Sequence, residues 1–122
     1  MIVRAVMGLA LAAAAGTLVS CYIAETPGTG SRAETGYRAA APVITALESF
    51  HRDHARYPRS LQELAPHYLS APATKLETYY VHGFRYNLRG GSYTLGFRYD
   101  AAAINDCDYD SKTKKWDCSG YF

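Results

Sequence analysis

The sequence predicts an α+β domain in which an N-terminal helix packs on a small antiparallel sheet that ends in a disulfide-stapled hairpin. Three observations carry this. Apolar residues recur with a helical period between Pro42 and Pro58. From Tyr79 onward the period changes to two, the mark of half-buried strands. Cys107 and Cys118 lie symmetrically about Lys112-Thr113, as two residues facing each other across a hairpin would.

The helix is clearest in "PVITALESFHRDHARYP". Val43, Leu47, Phe50 and His54 fall at i, i+4, i+7 and i+11, and Glu48, Arg52 and Asp53 lie mostly off that stripe. Pro58 ends the helix and pushes Tyr57 to an extended conformation. Its start has two readings. Ser31 and Glu34 have capping-box spacing, so the helix begins near Arg32 and Pro42 kinks it; or it begins near Ala40, with Pro42 in its first turn. The earlier start is favoured. Ser60 and Glu63 form a second capping box ahead of a short helix, Leu61 to Ala65.

In the strands, Phe84, Tyr86 and Leu88 alternate, Arg89-Gly90-Gly91 turns the chain, and Tyr93, Leu95, Phe97 and Tyr99 alternate again. One apolar face results, for the helix stripe to cover. "CDYDSKTKKWDC" forms the second hairpin, with Cys107 opposite Cys118 and Tyr109 opposite Trp116.

At 122 residues the chain holds one domain at most, and 48% hydrophobic residues suffice for a packed core. Eleven tyrosines suit half-buried strand positions. The formal charge is +2, and without Arg4 of the leader 12 basic residues face 11 acidic ones. That balance carries no electrostatic footprint for nucleic acid. Lys112, Lys114 and Lys115 read as a solvated turn.

"MIVRAVMGLALAAAAGTLVSC" opens with Arg4 and continues as an apolar run from Ala5 to Val19. The run is short for a bilayer span, which needs roughly 20 residues, and suits a secretory signal. Leu18-Val19-Ser20-Cys21 resembles the lipobox of bacterial lipoproteins. The resemblance implies cleavage after residue 20, diacylation of the Cys21 thiol with fatty acids such as palmitate, and often acylation of its new α-amine. Two or three acyl chains hold a protein firmly on a membrane where one does not. Tyr22, rather than Asp, follows the cysteine, which by the same resemblance favours the outer membrane of a Gram-negative cell, on its periplasmic face. With Cys21 assigned to lipid, the three cysteines resolve into one anchor and one pair. The expected organisation is a signal peptide at 1–20, a tether at 21–36 rich in Gly, Thr, Ala and Pro, and the domain at 37–122.

Ala46 to Leu69 resembles the segment after the long helix of type II secretion pseudopilins, through Tyr57-Pro58, Leu61, Leu64, Pro66 and Tyr68-Leu69. The resemblance implies a pilin-like fold and extends to Tyr99. It stops short of filament chemistry, because Gly8 is followed by "LALAA" with neither the long apolar helix nor its glutamate.

Chemistry is sparse. His51 and His54, with Asp53 between them, share a helix face and could begin a metal site, but spacing supplies no third ligand. Asp106, Asp108 and Asp110 alternate about Cys107; on one strand face they repel unless a cation or lysines offset them, which makes them calcium candidates. The serines lack a G-x-S-x-G setting, and Gly90-Gly91 is a turn rather than a phosphate loop. No catalytic residue and no cofactor are assigned. Tyr79, Tyr80, Tyr93, Tyr99, Tyr109, Trp116 and Tyr121 serve either as cross-strand packing pairs, the preferred reading, or as an exposed partner surface. The expectation is a membrane-anchored envelope lipoprotein acting as a structural or protein-interaction module with an envelope protein partner. The alternative is a small-ligand or calcium-binding envelope module, which the pseudopilin resemblance would make a secretion accessory.

Overall fold

A computed structural model describes residues 16, 25–70 and 83–121. The described elements are a helix α1 (Gly30–His54), a 3-10 turn (Leu61–Leu64), and strands β1 (Arg85–Arg89), β2 (Ser92–Asp100), β3 (Ile104–Asp110) and β4 (Lys115–Tyr121). The strands form an antiparallel meander in the order β1-β2-β3-β4, and α1 packs across its inner face. This is the α+β arrangement expected from the two periodicities.

The helix begins well before Pro42. Its buried stripe is Ala33, Gly36, Ala40, Val43, Leu47 and Phe50, alternating steps of three and four residues. Pro42 lies inside the helix on its exposed side, where the lost backbone hydrogen bond is open to water. The N-cap is Thr29, so Ser31 falls within the first turn instead of capping it. Residues 30–36 of the stretch expected to be tether are therefore helical. Small residues let the helix approach the sheet there: a Cβ on Gly36 would overlap the ring of Phe97. Ala55, at φ 56, closes the helix through its N–H to the His51 carbonyl, and His51, Arg52 and His54 crowd the negative end of the helix dipole.

After Pro58 the Glu63 carboxylate accepts the backbone N–H of Ser60 at 3.4 Å and that of Arg59, the local bonding expected of the second capping box. Leu61 and Leu64 drop into the core beside Val43, Leu47, Phe50, Tyr93 and Leu95. A second cluster, Ala33, Phe97, Tyr99 and Cys107, lies toward the N-terminal end of α1.

Register matches the symmetry of the C-terminal hairpin. Cys107 faces Cys118, Tyr109 faces Trp116, and the cysteines are bonded. One correction concerns His54, which the periodic stripe places in the core. It is exposed, with its ring lying on Phe50 and its Nε2 beside the Tyr68 hydroxyl instead of under the sheet.

Candidate functional site

The disulfide lies on the inner face of the sheet, under the start of α1. Tyr37, two turns into the helix, holds its hydroxyl 3.3 Å from the Cys118 sulfur and 3.8 Å from that of Cys107. That hydroxyl donates to the Gly28 carbonyl at 2.9 Å, while the Gly28 N–H donates to the Tyr99 hydroxyl at 2.8 Å. Burial pushes the Tyr37 phenol above its ordinary value, helped by Tyr99 and Glu34. Residues 26–29 thus form a strap laid over the disulfide. Only glycine fits at 28: its φ is +84, and a Cβ there would come within 2.7 Å of the Cys118 sulfur.

The strap continues to Pro27, which lies over Gly120 of β4. Glu25, Thr26, Pro27, Ala101, Ala102, Ala103, Asn105 and Gly120 enclose a shallow cavity of about 220 Å³. Next to it, Ile104 and Tyr121 are cross-strand partners on the opposite, outer face of the sheet. They are 46% and 59% exposed, more than any other large hydrophobic residue described. The point where the chain enters the domain and the most exposed apolar pair therefore share one end of the sheet.

The carboxylates behave differently from the expectation. Within the protein the charge of Asp106 is offset by two arginines rather than by lysines, Arg98 from the adjacent β2 and Arg85 from β1 beyond it. Arg98 approaches it with Nε and Nη2, each at 3.0 Å, and Arg85 with Nη1 at 2.7 Å. Arg85 also reaches Asp108 at 3.2 Å. The Arg98 hydrogen bond leads in holding Asp106 below the usual carboxylate range, against the opposing effect of burial. Asp110 caps the β3–β4 turn instead, accepting the N–H of Lys112 at 2.7 Å. Of the three candidate calcium ligands, Asp106 and Asp108 thus share Arg85, while Asp110 serves the turn. Among the described residues, no three His, Cys, Asp or Glu side chains converge as metal ligands.

The histidines do not converge either. His51 stacks on Tyr57, with centroids 4.3 Å apart, whereas His54 packs on Phe50 at 4.2 Å and meets the Tyr68 hydroxyl at 3.3 Å. Of the aromatics, Tyr93 and Tyr99 are buried, and Tyr109 and Trp116 are half-buried and pack against the core. Lys112, Lys114 and Lys115 are exposed at the far turn. Cys21, Tyr79 and Tyr80 lie outside the described residues.

Two features escaped the sequence reading. The strap had a signal in Pro27-Gly28-Thr29-Gly30, a turn-forming run. The Arg85–Asp106–Arg98 group had none, because it exists only once three strands are in register. No family model, curated protein or solved structure matches the chain.

Proposed function

We propose that this chain is a bacterial envelope lipoprotein. Its signal at 1–20 is removed, Cys21 carries the acyl chains, and a small disulfide-stapled domain is held at the membrane as a structural or protein-interaction module. One observation carries the reading. Of three cysteines, Cys107 and Cys118 are bonded to each other, and the one left over stands at the end of a lipobox-like Leu-Val-Ser-Cys. An exported, oxidising compartment accounts for the disulfide, and lipid accounts for the third sulfur. Among the described residues no helix is long and apolar enough to cross a membrane. With Tyr22 after the cysteine, the periplasmic face of the outer membrane is the address in a Gram-negative cell.

The test is expression with the native leader in a Gram-negative bacterium fed labelled palmitate. The wild type should take up label and sediment with membranes, and Cys21→Ser should do neither. A labelled or membrane-bound Cys21→Ser protein contradicts the proposal. Cross-linking in intact cells, followed by capture from detergent, then tests for an envelope protein partner.

A further inference from the structure

We infer that the end of the sheet formed by Ala101–Ala103, Ile104 and Tyr121 rests directly on the lipid bilayer. The inference depends on acylation of Cys21 and adds which face of the domain the anchor turns toward the membrane.

Chain length limits how far the anchor can lie from the domain. A tether running to residue 36 would be a coil of ~15 residues, holding the domain on the order of 20 Å away. Instead the strap is docked from Thr26 to Thr29, and α1 begins at Gly30. Four peptide links separate Cys21 from Glu25, so their Cα atoms are at most about 14 Å apart in any conformation. The lipid is therefore tied close to the place where Pro27 lies over Gly120. Next in chain to Gly120 is Tyr121, paired with Ile104. An isoleucine and a tyrosine left exposed are suited to the interface, where an apolar body enters the acyl boundary and a hydroxyl stays wet. Glu25 does not oppose this strongly, since its carboxylate sits against Gly30 at the positive end of α1. Lys112, Lys114 and Lys115 occupy the other end of the β3–β4 hairpin, roughly 20 Å along the strands, and face away from the bilayer.

The experiment uses the mature chain from Cys21, coupled through that thiol to a maleimide lipid in phosphatidylcholine nanodiscs, with the Cys107–Cys118 bond intact. Spin-labelled phosphatidylcholine is added and amide line broadening is read by NMR. Broadening at residues 101–104 and 120–121 should exceed that at 112–115 several-fold, and Ile104→Ser with Tyr121→Ser should reduce it at least twofold while the other amide shifts stay in place. Uniform weak broadening, broadening strongest at the lysine turn, or an unchanged pattern in the double variant each overturns the inference. Because the lipid is attached chemically, such a failure leaves the acylation of the native protein standing; that is read separately from its mass.

Discussion

The hydroxyl of Tyr37 donates to the carbonyl of Gly28 at 2.9 Å and lies 3.3 Å from the Cys118 sulfur. One side chain thus fastens the entering chain to the disulfide that staples the last two strands. The strap's position depends on this bond, on the reciprocal one from Gly28 to Tyr99, and on a glycine at 28.

Replacing Tyr37 with Phe removes the hydroxyl and keeps the ring against Phe97 and Trp116. The expected cost is about 0.5–1.5 kcal/mol, the range for one hydrogen bond. Denaturant unfolding measures it. Amide exchange at residues 28 and 29 should quicken more than in β2, and equal quickening throughout would show that the bond does not hold the strap.

Breaking the disulfide by Cys107→Ala with Cys118→Ala frees a closed loop with a sequence separation of 11. The chain-entropy treatment gives about 3 kcal/mol for a loop of this size. Cys107 is also fully buried, so lost packing adds to the cost. Thermal unfolding of the wild type with reductant should show the cross-link part of that loss, smaller than the full loss of the variant, and reductant should have little effect on the variant.

Gly36→Ala separates two opposed effects. Helix propensity alone predicts a gain of about 1 kcal/mol. The new methyl group, however, meets the buried ring of Phe97, and overpacking of that kind costs about 1–3 kcal/mol. Net destabilisation is expected, and relief by Phe97→Leu in the double variant would confirm the collision.

Asp106 gives an acid signature. Its carboxyl is held below the usual range in the folded state, chiefly by Arg98, and returns to roughly 3.9 on unfolding. The unfolded chain then binds the proton first, so stability falls as pH drops from about 5 through the folded-state value, and is complete above that window. Asp106→Asn should flatten that part of the stability–pH curve. An unchanged slope would place the acid sensitivity elsewhere.

The helix and strands were legible because large apolar residues repeat at 3.6 or 2, and the cysteine pairing because it is symmetric about a turn. The N-terminal third of the helix was harder to read, since Ala33, Gly36 and Ala40 signal burial weakly although they face the sheet most closely. Periodicity also misled at His54, which continues the stripe yet is exposed. Side-chain groups built across several strands, such as Arg85 and Arg98 on Asp106, follow from register and have no local pattern. The strap had a local pattern, but a turn-forming run does not say what the turn will dock against.

The account rests on fatty acids carried by one sulfur atom, that of Cys21, four residues before Glu25 in the chain. Intact-mass and fragment spectrometry of the protein purified from its native membrane tests this most directly. The account predicts a polypeptide starting at Cys21, with a diacylglyceryl group on its sulfur and residues 107 and 118 oxidised. A mature chain starting elsewhere, or a Cys21 free of lipid, would contradict it.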